Sequence, residues 1–136
     1  MIRFDGKYFE KVAFTRDQIR RNLDNALRDQ VIARDDKILE VKFNYTYTAF
    51  LKAGMALLSF YGYKVKSVPG HHVKIIEKMA ELLDDEAVLD MGNFMRSKRN
   101  MDFYGGGITI TEKEYKECAA FMQKIIDKIK NVIFGK

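Results

Sequence analysis

Val41-Lys42-Phe43-Asn44-Tyr45-Thr46-Tyr47 fits two periods. Val41, Phe43, Tyr45 and Tyr47 alternate with polar residues, the pattern of a half-buried strand. The stretch that follows, Ala49 to Leu58, is helical in composition, and no turn residue separates the two. A single long, largely buried helix from Asp36 to about Tyr61 accommodates both, with Asp35 and Asp36 able to cap its start and Gly62 to end it. Taken that way, the chain is all-α.

Outward from this helix the periodicity stays helical. On the N-terminal side, Thr15 with Gln18 forms a capping-box pattern. Ile19, Leu23, Ala26, Leu27 and Val31 then repeat at helical spacing, predicting a first helix over 15–33. On the C-terminal side a loop, Tyr63 to Gly70 with Pro69, precedes a third helix over 71–83 whose apolar face is Val73, Ile76, Ala80 and Leu83. Asp84-Asp85-Glu86 opens a fourth helix, where negative charge suits a helix N-terminus, and Val88, Met91, Phe94 and Met95 carry it to about Phe103. Gly105-Gly106-Gly107 breaks the chain as a flexible turn. Thr111 with Glu114 is a second capping box for a last helix over 112–134. Short connections between such helices predict an antiparallel up-and-down bundle of four to five helices forming one domain over 1–136. Phe4, Tyr8, Phe9 and Phe14 form an aromatic arm over 1–14 that should lie on the bundle or on a neighbouring subunit.

The composition agrees with a folded domain. Hydrophobic residues make up 47% of the 136 and charged ones 32%, which excludes a disordered chain. The one cysteine, Cys118, excludes an intramolecular disulfide framework and a Cys-rich zinc site, and its neighbours Ala119, Ala120 and Met122 suggest a packed core thiol. The longest uncharged run, from Ala53 to the residue before Lys64, is far short of a membrane span. The N-terminus interleaves charge with aromatics, unlike a signal peptide. The expectation is a cytoplasmic protein with no membrane partner. Lys and Arg exceed Asp and Glu by 24 to 19, a net charge of +5 that permits an acidic or nucleic-acid partner without requiring one.

Antiparallel topology sorts these charges. At ~1.5 Å per residue, His71 and Arg99 each lie ~20–23 Å from the turn at Asp84, hence nearly side by side. If the second helix feeds the third directly, Tyr61 and Tyr63 belong to the same end, and pairing of the first two helices adds Arg16, Arg20 and Arg21. One end would then hold these with Lys64, Lys66, His71, His72, Lys74, Arg96, Lys98 and Arg99. The other would hold Asp35, Asp36, Asp84, Asp85, Glu86 and Asp90, although Glu112, Glu114, Lys124, Lys128 and Lys130 blur the separation. A basic end with aromatics nearby attracts phosphates and stacks bases; the alternative is that the charges only solvate the helix faces.

Arg96-Ser97-Lys98-Arg99-Asn100-Met101-Asp102-Phe103-Tyr104-Gly105 is the most informative stretch. Arg offers a planar fork for phosphate, and Asn both donates and accepts; cations in a last helical turn also complement the helix dipole. Together with Ala56 to Tyr63 and with Pro69-Gly70-His71-His72-Val73, this stretch resembles the HEPN domain family (higher eukaryotes and prokaryotes nucleotide-binding), over about Asp36 to Phe134. The resemblance implies a four-to-five-helix bundle, usually a homodimer with its signature helices near the two-fold axis. It also implies metal-independent ribonucleases, many of them toxins whose antitoxin is a minimal nucleotidyltransferase. Arg99 and Asn100 match the family's Arg-polar pair. The histidine expected a few residues later is absent, and Tyr104 stands in that region instead. A phenol is a poor base near neutrality, so proton transfer would fall to His71 or His72.

Three functions follow. One is a non-catalytic module that binds RNA or a nucleotide through Arg96, Lys98, Arg99, Lys64, Lys66, Tyr61 and Tyr63. The second is a metal-independent endoribonuclease using Arg99, Asn100, Tyr104, His71 and His72. The third is a bundle that serves only dimerisation or interaction. No cofactor and no metal is expected, since adjacent helical histidines point ~100° apart and no third ligand is evident.

Overall fold

The two threonine caps set the helix starts as the sequence predicts. The Thr15 N–H donates to Gln18 Oε1 at 2.9 Å and the Gln18 N–H to Thr15 Oγ1 at 3.1 Å. Thr111 and Glu114 repeat the exchange at 2.9 and 3.0 Å. The computed structural model describes residues 2–104 and 110–135, with side chains over 2–100 and 110–135. The glycine triplet and the side chain of Tyr104 lie outside the described residues. The elements are β1 (Phe9–Lys11), α1 (Arg16–Asp35), α2 (Leu39–Phe60), β2 (Tyr63–Val65), α3 (His71–Leu83), α4 (Glu86–Tyr104) and α5 (Glu112–Phe134). The chain is an all-α bundle of five helices with a two-stranded ribbon at its side, and no described helix is long and apolar enough to cross a membrane.

The ambiguous stretch 41–47 is helical within α2. Phe43, Tyr47 and Phe50 are buried on one face while Thr46, Ala49 and Ala53 are buried on others, so α2 is the central helix. Burial on most sides explains why two periods fit the same residues. The Thr46 hydroxyl donates back to the Lys42 carbonyl at 2.9 Å, which keeps a β-branched polar residue inside the helix.

Two glycines set the tightest contacts. A Cβ on Gly54 would lie 2.5 Å from Met79 Sδ and 2.7 Å from Ile75 Cγ2. One on Gly92 would lie 2.5 Å from Ile76 Cγ2 and 3.0 Å from Phe50 Cε2. Their absent side chains let α2, α3 and α4 approach closely. Antiparallel pairs are α1–α2 (Lys52 on Asp29, Lys42 on the Arg34 carbonyl), α3–α4, and α4–α5 (Lys98 on Glu114, Lys128 on Asp85). Asp84, in the left-handed region at φ 50°, makes the α3–α4 turn, and the Asp85 carboxylate accepts the Ala87 N–H at 3.0 Å.

The α2–α3 connection departs from the direct feed that the sequence suggests. Its residues 63–65 form β2, which pairs antiparallel with β1, Phe9 opposite Val65 and Lys11 opposite Tyr63. The chain then continues back along the bundle, so that His72 meets Tyr47, well before the end of α2. Gly54 meets Ile75 and Met79, so α3 runs in the same sense as α2. Eight extended residues reach ~26 Å, enough to cover the ~20 Å between Tyr47 and Phe60. The aromatic arm is therefore a structural strap. Phe4 stacks on Tyr63 at 3.8 Å, and Lys78, buried on α3, donates to the Arg3 carbonyl beneath the rings of Phe4 and Phe9.

This route redistributes the charges. Arg16 and Arg20 lie with Phe60, Ile133 and Phe134 at one end of the bundle, the end that also carries Asp85 and Lys128. Asp35 and Asp36 lie at the opposite end, with Arg96, Lys98 and Arg99. The expected basic and acidic ends are mixed, because the expectation assumed that α2 hands directly to α3.

Candidate functional site

Gly70, at φ 82°, turns the chain into α3 and places two histidines in its first turn. The His71 N–H donates to the Val68 carbonyl at 3.1 Å, and His71 Nδ1 lies 2.9 Å from the same oxygen. The imidazole of His72 sits 4.4 Å from that of His71, ring centre to ring centre, at 66°. His72 Nδ1 lies 3.4 Å from the Tyr47 hydroxyl, a long hydrogen bond from the central helix.

Opposite stands the last part of α4. His71, His72, Arg96 and Asn100 line one open depression of about 400 Å³ together with the 67–70 loop. The α3–α4 hairpin alone brings these four together, as the distances from Asp84 predict. Arg99 projects differently: its guanidinium lies 5.7 Å from the centre of the Tyr47 ring and does not line the depression. Among the described residues, Arg96 Nε is buried without a hydrogen-bond partner, an uncommon state for a charged group.

The electrostatics follow from burial beside cations. Tyr47, 1% exposed, has its phenol pushed up to about 12 by burial, against the pull of Arg99 and Arg96. His72 is held below the ordinary histidine value, first by burial and then by the charges of His71, Arg99 and Arg96. Both shifts keep these groups neutral near neutral pH. Burial also pushes the Cys118 thiol up to about 11; its sulfur packs 3.7 Å from Met91 Sδ, in the core as its neighbours suggest.

The remaining candidates separate from this depression. Lys98 turns toward α5, 3.7 Å from Glu114 and over the ring of Phe94. Lys66 donates to the Gly6 carbonyl at 2.7 Å and so ties down the arm. Lys64 and Tyr63 line a neighbouring depression of about 310 Å³, which shares His71 and Ser67 with the first. Tyr61 is exposed and packs edge-on against Phe60, at the end with Arg16 and Arg20. Tyr104 ends α4. Among the described residues no three His, Cys, Asp or Glu side chains group as metal ligands.

Tyr47 is the site residue that sequence reasoning missed. It falls in the Phe43, Tyr47, Phe50 stripe and so counts as core. The available signal is chemical: a buried tyrosine needs a partner for its hydroxyl, and no other residue of that stripe is polar. No family model matches the chain, and neither curated proteins nor solved structures give a match.

Proposed function

We propose that this chain is a HEPN-type bundle that binds RNA or a nucleotide at the depression between the entrance of α3 and the end of α4. The observation that carries the reading is the meeting of His71, His72, Arg96 and Asn100 in one open hollow, where Arg96 Nε is buried and has no partner among the described residues. An arginine fork recognises phosphate oxygens, and the imidazoles and the amide add hydrogen bonds to sugar or base. The sequence resemblance adds three parts to the proposal: a homodimer, a toxin–antitoxin setting and a minimal nucleotidyltransferase as partner.

The test is fluorescence anisotropy with labelled single-stranded RNA and with a labelled adenine nucleotide across a salt series. Affinity for RNA should fall with salt, with a log–log slope of about −0.7 for each phosphate contacted. Arg96→Met should weaken binding about tenfold and flatten that slope by about 0.7. The reading fails if neither ligand binds at low salt, or if Arg96→Met binds as wild type does.

The histidine pair beside an arginine favours a second reading, metal-independent RNA cleavage, because transfer to an RNA 2′-hydroxyl needs a base, an acid and stabilisation of the charged phosphorane. Incubation with RNA in EDTA tests it, with Arg99→Ala and His71→Gln as controls. Cleavage no faster than in both variants leaves binding alone.

A further inference from the structure

Resting on that binding reading, a second property of the hollow follows from hydrogen-bond satisfaction. The oxygen facing His71 Nδ1 is a backbone carbonyl, which only accepts. His71 Nδ1 therefore carries a hydrogen, and in the neutral imidazole the lone pair is on Nε2. His72 faces a group that can do either. Tyr47 is 1% exposed, and His72 Nδ1 is the hydrogen-bond partner of its hydroxyl among the described residues. If Nδ1 carried the His72 proton, the hydroxyl hydrogen would be left in the core with no acceptor among the described residues. Donation from Tyr47 to Nδ1 satisfies it and moves the His72 proton to Nε2.

We infer that the two histidines, which both line the hollow, hold opposite tautomers, with Tyr47 the positioning residue for His72, so that His72 Nε2 is an N–H donor and His71 Nε2 a lone pair. A phosphate beside a sugar hydroxyl needs this combination: the oxygen anion takes the donor and the hydroxyl gives its hydrogen to the lone pair. The class of ligand selected is a ribonucleotide with a free 2′-hydroxyl over its deoxy counterpart. The groups facing His72 leave this arrangement in place. Among the described residues they are Tyr47 from α2, His71 from its own helix, and Arg96 and Arg99 from α4, and the arginines both disfavour a second proton on the ring.

Long-range proton–nitrogen NMR on the ligand-free protein at pH 7.5 decides the tautomers. The expected spectrum shows His71 protonated at Nδ1 and His72 at Nε2. In Tyr47→Phe, His72 should lose its fixed tautomer and average between the two, while His71 is unchanged. A His72 proton on Nδ1 in the wild type, matching tautomers in the pair, or an unmoved His72 in Tyr47→Phe would each overturn the inference. The wild-type spectrum suffices even if that variant folds poorly. Binding of one RNA oligonucleotide and the DNA of equal sequence gives the second readout. The ribo preference should drop about fivefold in Tyr47→Phe, the effect of one lost hydrogen bond. Opposite tautomers with equal RNA and DNA affinity would refute the ligand class, whereas no binding of either would instead refute the binding function.

Discussion

Two charges in this bundle, one buried and one half-buried, are treated in opposite ways. Asp29, 2% exposed between α1 and α2, is met by Lys52 Nζ at 2.7 Å and by the Thr48 hydroxyl at 3.0 Å. Arg96, near the end of α4, has a buried Nε that nothing in the described protein meets. A carboxylate sealed in a core persists only with its charge and lone pairs answered. A guanidinium left partly unanswered beside an open hollow costs stability, and the cost is recovered when a ligand completes it. Under the proposed function, the difference separates charge that holds helices together from charge that meets a ligand.

The comparison predicts a crossed pair of variants. Asp29→Ala leaves Lys52 and the Thr48 hydroxyl without their shared buried acceptor and should lower stability by about 2 kcal/mol in urea denaturation, the loss of two hydrogen bonds to a charged group. Its RNA affinity per folded molecule should not change. Arg96→Met keeps the methylene stem and removes the buried Nε, so stability should stay within about 0.5 kcal/mol of wild type or rise. Its affinity should fall about tenfold, or about 1.4 kcal/mol. If Arg96→Met unfolds the protein as Asp29→Ala does, the two charges are of one kind and the comparison collapses.

The same contrast explains what the sequence makes legible. The helices are readable because their signals are local: capping boxes at Thr15 and Thr111, and apolar faces at helical spacing. The meeting of His71 and His72 with Arg96 and Asn100 is readable too, since it depends only on a tight turn at Asp84 and on two unbroken helices leading away from it. The 63–70 connection is not. Whether Tyr63-Lys64-Val65 pairs with Phe9-Glu10-Lys11 depends on a partner more than fifty residues away, and neither three-residue segment has a periodicity of its own. From that one non-local pairing follow the strap formed by the arm, the return of the chain to Tyr47, and the mixing of Arg16 and Arg20 with Asp85. Tyr47 was hidden for a related reason, since a buried aromatic on a stripe of aromatics gives no sign of which helix its hydroxyl will face.

A smaller effect tests the electrostatics of the hollow through stability alone. The native His72 has its pKa below 6.5, whereas in the unfolded chain it returns to that value. Below about pH 6.5 the unfolded state therefore binds a proton that the native state refuses. Its contribution is present above that pH and is lost as the pH falls toward the native value. Urea midpoints between pH 7.5 and 5.5 should fall for the wild type and fall less for His72→Gln. Equal slopes would mean that burial beside Arg96 and Arg99 does not reach this ring.

The smallest effect probes the far end, where charge pairing is close but exposed. Lys128 Nζ lies 2.6 Å from Asp85 Oδ2, shorter than the Lys52–Asp29 contact, and it holds the Asp85 carboxyl below its usual range. Distance alone would rank this pair with Asp29. Solvent argues otherwise, because the Asp85 side chain is 23% exposed against 3% for Asp29, and its carboxylate keeps the Ala87 N–H at the start of α4. Water and salt answer such charges when the partner is removed. Lys128→Ala should therefore change stability by less than about 1 kcal/mol in the same urea assay, and raising the salt should shrink the difference further. A loss as large as that of Asp29→Ala would show that proximity, and not burial, decides which charges hold this bundle together.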